Sequence, residues 1–191
     1  MNKSNNSLYR RGFLTGVAGG FGIYKLMGAT GKTSRSAKTV HIVEFDAFGN
    51  RTLVEEVNKV VKSDDEWRKQ LSPAQFEIAR KEGTEPAGTG TYAYTHTDGL
   101  YHCVCCDTVL FDSTTKFESG TGWPSFYQPI AKENVAELPD RTEGAQRTKV
   151  QCVRCDAHLG HVFDDGPKPT GLRYCMDSAS LNFVARGNKT I

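Results

Sequence analysis

The chain carries little net charge and few cysteines for its length. Its 24 lysines and arginines almost balance 22 aspartates and glutamates, which leaves a formal charge of +2. A protein that binds nucleic acid by neutralising phosphates needs a clear basic excess, so we expect no nucleic-acid partner. Six cysteines in 191 residues are too few for a small fold held together by disulfides. Because these cysteines occur in clusters, we expect them to serve chemistry.

Long hydrophobic runs are also absent. A mildly apolar, glycine-rich run extends from Gly16 to Ala29, but Tyr24 and Lys25 interrupt it, and a membrane span needs about 20 apolar residues. Just before it, Arg10-Arg11-Gly12-Phe13-Leu14 resembles a twin-arginine export signal. We therefore predict that residues 1–38 form an export signal and linker, that the protein is periplasmic or otherwise exported, and that no stable membrane insertion remains after export. A flexible basic tail or an uncleaved anchor is the alternative.

Turn residues are frequent, with 19 glycines and 7 prolines, and short β-prone pieces follow one another from Tyr92 onward. This pattern predicts a mainly β core domain with its helices at the N-terminal side. Helix starts are expected at Ser63, with a capping box to Glu66, and at Ser72 before a proline. The predicted organisation is an N-terminal extension over 39–62, a core domain over 63–186 and a tail over 187–191. Within the extension, we expect a strand over Val40–Phe45 and a helix over Leu53–Val61.

Four cysteines form two Cys-x-x-Cys pairs, Cys103 with Cys106 and Cys152 with Cys155. Two such pairs supply four thiolates, the number that a tetrahedral structural zinc ion takes. Disulfides are the alternative, because an exported protein meets oxidising conditions. Cys105 permits other pairings as well. A redox-active pair of the thioredoxin type is less favoured, because no βαβ pattern surrounds either pair.

Cys175 stands apart from the two pairs and has a different environment. Arg173 lies two residues away, so both side chains share a face if this segment is a strand. A nearby guanidinium favours the thiolate, which is the nucleophilic form of cysteine. If the four paired cysteines hold zinc, His158 and His161 are free for acid–base or substrate-binding work. A small buried hydrophobic side chain is the alternative role for Cys175.

These motifs occur together in an order that resembles the B-type methionine sulfoxide reductases. The first Cys-x-x-Cys precedes the block from Lys116 to Phe126 (KFESGTGWPSF), and the second is followed directly by DAHLGHVF. Asp165-Gly166-Pro167 and Gly171-Leu172-Arg173-Tyr174-Cys175 complete the set. The combination is specific, although each motif alone is not, and the resemblance runs from about Ser63 to Val184.

The resemblance implies a mainly β fold of two small antiparallel sheets in a tent-like or barrel-like arrangement, with short flanking helices. It implies reduction of the R-epimer of methionine sulfoxide in proteins, with Cys175 as nucleophile and His161, His158 or a bound water as the proton source. It further implies one structural zinc ion per chain on the four paired cysteines. Substrate-binding roles fall to Trp123, Arg173, Asp165, Asp177 and Phe183.

Two positions depart from the pattern that is common in this family. Thr121 stands where many members have a cysteine that resolves the sulfenic acid, so we expect an external thiol reductant, thioredoxin-like or small. Cys105 is the alternative resolving group. Asp177 stands where asparagine is common, and its carboxylate would oppose thiolate formation if ionised. We expect a monomer, and the alternative function is a zinc-stabilised, non-catalytic interaction domain.

Overall fold

The computed structural model describes residues 38–142 and 146–187. The predicted export signal lies outside these residues, as does nearly all of the predicted tail. Within the described part, neither helix is long and apolar enough to cross a membrane. In chain order the elements are β1 (Thr39–Phe45), β2 (Arg51–Asn58), α1 (Asp64–Gln70), α2 (Pro73–Lys81), β3 (Gly99–Cys103), β4 (Val109–Asp112), β5 (Lys116–Phe117), β6 (Ser125–Phe126), β7 (Val135–Asp140), β8 (Arg147–Cys152), β9 (His158–Phe163), β10 (Arg173–Met176) and β11 (Leu181–Ala185).

Both helices begin at the predicted serines, and each begins with a complete capping box. Ser63 accepts a hydrogen bond from the amide of Glu66, whose carboxylate accepts one in return from the amide of Ser63. Ser72 and Gln75 repeat the arrangement at the start of α2. These reciprocal bonds satisfy amide donors that a helix N-terminus otherwise leaves unpaired. The two helix starts are confirmed.

The strands form three antiparallel sheets in the described residues. The largest has the order β5-β6-β10-β9-β8-β7, the second has the order β11-β3-β4, and β1 pairs only with β2. The mainly β prediction with short flanking helices is therefore confirmed. The number of sheets is three instead of two, because the N-terminal extension forms its own hairpin, and the described strands do not close into a barrel.

The helix predicted over residues 53–61 is wrong, because these residues contribute most of strand β2. A turn at Asp46–Asn50, with Gly49 at φ +78°, reverses the chain and brings β2 alongside β1. The apolar spacing of Leu53, Val54 and Val57 is compatible with either state, and pairing with β1 decides between them. Tyr92, predicted as β-prone, lies in a turn, and its ring packs against Tyr101 instead, 5.6 Å between centroids.

The core lies between the two larger sheets and joins them through aromatic rings. Phe126 of β6 stacks on Phe111 of β4 at 4.5 Å and meets Tyr101 of β3 edge-on at 5.0 Å between centroids. The two helices add Trp67 and Phe76, which are 1% and 0% exposed. Apolar contacts on this side leave the opposite face of the large sheet for polar and reactive side chains.

Candidate active site and metal centre

The two Cys-x-x-Cys pairs form the same turn twice. One turn joins β3 to β4 and the other joins β8 to β9. In the first turn the amide of Asp107 donates a 2.9 Å hydrogen bond to the carbonyl of Cys103. In the second turn the amide of Asp156 donates one of 2.9 Å to the carbonyl of Cys152. Both aspartates have positive φ, 64° and 58°, a conformation that Asp tolerates better than most residues. The repeated turn directs each pair of thiols to one side.

The four sulfur atoms of these turns meet in one cluster. All lie within 4.8 Å of one another, with 3.6 Å between Cys103 and Cys155 and 3.5 Å between Cys106 and Cys152. A zinc ion with Zn–S bonds of about 2.3 Å requires tetrahedral edges of about 3.8 Å, whereas a disulfide bond is about 2.05 Å long. The spacing fits four ligands around one ion, and no described cysteine forms a disulfide. The predicted grouping of these cysteines into a site able to bind metal is confirmed.

Cys175 lies on the large sheet, away from the four-cysteine cluster. On β10 it sits opposite Ser125 of β6 and His161 of β9. A cavity of about 130 Å³ opens onto its side chain, and Trp123, His161 and Asp177 line the walls. The sequence-predicted nucleophile, one histidine, the tryptophan and one aspartate thus meet in a single cavity.

The surroundings of the Cys175 sulfur act on its ionisation in opposite directions. Burial raises the pKa of the Cys175 thiol, whereas the Thr121 hydroxyl, 3.8 Å from the sulfur, and the Arg173 guanidinium lower it. Thr121 begins a chain of hydroxyl groups, because its oxygen lies 2.8 Å from that of Ser119, which lies 2.7 Å from that of Ser125. These hydroxyl groups can donate toward a sulfur anion, and therefore can stabilise the thiolate.

Arg173 shares the face of β10 with Cys175, as its spacing predicts. Its guanidinium donates two hydrogen bonds of 2.8 Å to the Asp165 carboxylate and lies 4.4 Å from the centre of the Phe163 ring. The carboxylate raises the pKa of Arg173, and the hydrogen bonds from Arg173 lower the pKa of Asp165. This fork-shaped pair holds the guanidinium in one orientation beside the thiol.

The two histidines differ in their environments. His161 lines the cavity, and its Nε2 lies 2.7 Å from Oδ2 of Asp140. His158 is 2% exposed, neither of its ring nitrogens has a hydrogen-bond partner in the described part, and burial lowers its pKa to about 4. His158 is therefore neutral at pH 7 and packs edge-on against the His161 ring, 5.4 Å between centroids.

Asp177 is buried, 3% exposed, on the wall of the cavity. Burial raises its pKa to about 7, and the nearby Glu85 carboxylate adds to the shift, although the Glu85 amide donates a 3.0 Å hydrogen bond to Oδ1. The backbone carbonyl of Glu85 also accepts a 3.0 Å hydrogen bond from the indole N–H of Trp123. This glutamate therefore holds two walls of the cavity in place.

Glu85 and Asp140 are site residues that sequence reasoning missed. Each is one of several acidic residues in a polar segment, so spacing along the chain carried no signal that singled out either. The structure does not bring Phe183 to the cavity. Its strand, β11, belongs to the second sheet, where its ring packs against Tyr101 and Tyr92 at 5.1 and 6.2 Å between centroids.

The fold and site define a class of mainly β protein with a cavity-lining thiol and a separate four-cysteine cluster able to bind a metal ion. A profile described as the SelR domain matches residues 71–185. Proteins named peptide methionine sulfoxide reductase MsrB are similar to this chain. The protein from Pseudomonas aeruginosa strain UCBPP-PA14 is 56% identical over 130 residues, 68% of this chain and 98% of that protein. The protein from Pseudomonas syringae pv. syringae strain B728a is 54% identical over 130 residues, 68% of this chain and 99% of its own length.

A plant protein is also similar. The peptide methionine sulfoxide reductase B1, chloroplastic, of Oryza sativa subsp. japonica is 60% identical over 119 residues, which are 62% of this chain and 56% of the plant protein. The matches cover both Cys-x-x-Cys turns and Cys175 within the profile's range. The chain belongs to the SelR family, the B-type methionine sulfoxide reductases.

Proposed function

We propose that this protein reduces the R-epimer of methionine sulfoxide in proteins to methionine, with Cys175 as the nucleophile. One observation carries the proposal: a cysteine thiol faces a small cavity that also holds an indole, an imidazole and a buried carboxyl group. Family membership supports the substrate class. Trp123, on the cavity wall, packs against the substrate's methyl group and so contributes to the choice of epimer.

The reaction transfers one oxygen atom from substrate to enzyme. The Cys175 thiolate attacks the sulfoxide sulfur, and the sulfoxide oxygen takes up a proton as its bond to that sulfur weakens. The hydroxyl group then passes to the Cys175 sulfur as the bond between the two sulfur atoms breaks, so the cysteine becomes a sulfenic acid and methionine leaves with the electron pair. The substrate sulfur gains two electrons and the cysteine sulfur loses two.

Two groups on the cavity wall can supply the proton, His161 and Asp177. With a pKa of about 7, Asp177 is about half protonated at neutral pH. The protonated carboxyl group can donate, whereas the ionised form raises the pKa of the Cys175 thiol. His158 is neutral and does not line the cavity, which favours packing behind His161 over direct proton transfer. Arg173, held by Asp165, stabilises the thiolate.

The enzyme returns to its starting state by reaction with an external thiol. Thr121 cannot form a disulfide, although it lies beside Cys175. Cys105, the other candidate, is 3% exposed and lies between two members of the metal cluster. One external thiol displaces water from the sulfenic acid to form a mixed disulfide, and a second releases the Cys175 thiol.

The four-cysteine cluster is proposed to hold one structural zinc ion. Cys103, Cys106, Cys152 and Cys155 supply four soft thiolate ligands at tetrahedral spacing, a donor set typical of structural zinc. When bound, the ion links the β3–β4 turn to the β8–β9 turn. The ligands come from both larger sheets, so the ion stabilises the docking of one sheet on the other.

We also propose that the protein acts as a monomer outside the cytoplasm, repairing oxidised proteins there. The support is the paired Arg10-Arg11 followed by an apolar, glycine-rich run. Replacement of both arginines with lysine should retain the protein in the cytoplasm, as read by cell fractionation with an antibody. An unchanged distribution would reject the export proposal without touching the enzymatic one.

The test of the activity is a single turnover of zinc-loaded protein with separated R- and S-methionine sulfoxide and no reductant. We expect one equivalent of methionine from the R-epimer only, together with one oxygen atom added to Cys175 by intact mass and peptide mapping. Cys175→Ser is the matched control and should release none. No methionine from either epimer, with metal bound and the fold intact by circular dichroism, would favour the non-catalytic interaction domain.

A further inference from the structure

The large sheet brings an aspartate of β7 next to the histidine of the cavity. Cys175 of β10 lies opposite His161 of β9, which lies opposite Lys149 of β8. Asp140 of β7 lies opposite Arg147, two residues from Lys149 and therefore on the same face. The Asp140 side chain reaches across β8 to Nε2 of His161, 2.7 Å away. A thiol, an imidazole and a carboxylate thus follow one another across a single face of the sheet.

Asp140 is held as an anion in a fixed position. It is 7% exposed. Its carboxylate accepts hydrogen bonds from the Thr142 hydroxyl at 2.7 Å and amide at 2.9 Å, and from Arg147 Nη2 at 3.1 Å. The Thr142 donors, followed by His161, hold the pKa of this carboxyl well below its usual range. An anion that already has these donors can only accept from the imidazole, so Nε2 of His161 must carry a proton.

Other charged groups around His161 are paired or lie further along the wall. Lys149 bonds to Glu82 at 2.5 Å, and these two groups offset one another. Burial disfavours the charged form of His158, whose ring packs on that of His161. The remaining charged or titratable groups that share the cavity with His161 are Arg147, Cys175 and Asp177. Asp140 is the anion in direct contact with the ring.

We propose that Asp140 is a positioning residue for the reductase reaction, which fixes the orientation and tautomer of His161. This inference rests on the proposed function, because it makes His161 the donor of the proton that the sulfoxide oxygen receives. With Nε2 bound to Asp140, Nδ1 is the ring nitrogen that remains for the cavity. The proton moves from Nδ1 to the sulfoxide oxygen as the thiolate attacks, which leaves a neutral imidazole with Nε2–H still donating to the carboxylate. The ring regains its proton from solvent.

The first test compares kcat and KM for the wild type and Asp140→Asn. The amide keeps an acceptor oxygen for Thr142 but loses the negative charge. We expect kcat to fall at least about tenfold, with little change in KM, because the His161 ring loses its fixed orientation. Asp112→Asn is the matched control, because Asp112 is a similarly shielded carboxylate, 13% exposed and bound to Arg186 at 2.6 Å, in the second sheet. It should leave kcat and KM unchanged.

The second test repeats the substitution in a His161→Gln background. If Asp140 acts only through His161, Asp140→Asn should cause no further loss of kcat there. An equal loss in both backgrounds would show a structural role and overturn the proposal. An unchanged kcat in Asp140→Asn, with unchanged circular dichroism, would also overturn it.

Nitrogen NMR of the His161 ring separates this inference from the proposed function, because it needs no turnover. In the wild type we expect Nε2 to be the protonated nitrogen of the neutral ring, and in Asp140→Asn a mixture of tautomers. A wild-type ring with the proton on Nδ1 would reject the positioning role even if the enzyme is active. The expected spectra from a protein that reduces no sulfoxide would instead reject the proposed function.

Discussion

Thr121 occupies the position from which a thiol could reach the Cys175 sulfenic acid. We predict that Thr121→Cys converts the product of the first turnover from a sulfenic acid to an intramolecular disulfide. The new thiol would attack the sulfur of the Cys175 sulfenic acid and release water, which leaves a disulfide bond between the two cysteines. The substitution therefore tests both the geometry of the loop and the need for an external reductant.

The required movement is small. Oγ1 of Thr121 lies 3.8 Å from Sγ of Cys175, and a disulfide bond is about 2.05 Å long, so the atoms must approach by less than about 2 Å. Gly120 precedes the loop position with φ +73° and has open space around its Cα. Rotation about χ1, together with a small adjustment at this glycine, can close the gap without disturbing the sheet.

The assay is intact mass spectrometry after one turnover without reductant. The wild type should gain about 16 Da and react with a sulfenic-acid probe, whereas Thr121→Cys should lose about 2 Da and fail to react. Peptide mapping should join the peptide of residue 121 to that of Cys175. With a thioredoxin-like dithiol as donor, steady-state turnover of the variant should rise relative to turnover with a monothiol.

Thr121→Ser is the control, because it keeps the hydroxyl group beside the sulfur and cannot form a disulfide. It should give the wild-type product. A stable sulfenic acid in Thr121→Cys would refute the placement of this loop beside Cys175. A disulfide between Cys105 and Cys175 in the wild type would refute the argument that burial excludes Cys105 from the reaction.

Three further substitutions test the metal centre, the buried carboxyl group and the backbone at Cys175. Cys152→Ser should lose one equivalent of metal by elemental analysis and lower Tm sharply, because the ligands join both sheets; unchanged metal content would reject the cluster as the site. In the folded protein the pKa of Asp177 is raised from 3.8 to about 7. The unfolded chain therefore releases this proton at lower pH than the folded protein does, and the wild type loses stability as pH rises from about 4 to 7. Asp177→Asn should remove this loss of stability, which amounts to up to about 4 kcal/mol. A difference in Tm between variant and wild type that does not grow from pH 4 to 7 would contradict this prediction. A Cβ added at Gly160 would overlap the Cys175 carbonyl oxygen, whereas one at Gly171 meets nothing within 4 Å. Gly160→Ala should therefore cost about 3 kcal/mol or more by denaturant unfolding and Gly171→Ala only about 1; equal costs would contradict the close packing at Gly160.

Signals confined to a few neighbouring residues predicted local structure well. The capping serines Ser63 and Ser72 mark the first residues of α1 and α2 because the capping bonds span only three positions. The Cys-x-x-Cys turns were readable for the same reason, since both thiols of a pair come from one turn. Cys175 and Arg173 share a face because a strand alternates its side chains.

Where two local patterns were both possible, tertiary pairing made the choice. Leu53, Val54 and Val57 suit one face of a helix, yet they lie in a strand because β1 offers a partner across a five-residue turn. Phe183 belongs to the same stretch of motifs as Cys175, but the chain crosses to the second sheet after β10 and carries it away from the cavity.

The sequence by itself determined the family and the four cysteines able to bind a metal ion, and it predicted Cys175 as the nucleophile, because each depends on residue types at short, specific spacings. The tertiary structure alone decided which acidic groups serve the site. Asp140 reaches His161 because three strand registers align them across the sheet, and Glu85 reaches Trp123 and Asp177 from the segment after α2. Such contacts join residues 21 to 92 positions apart, and no spacing along a single chain encodes the register that brings them together.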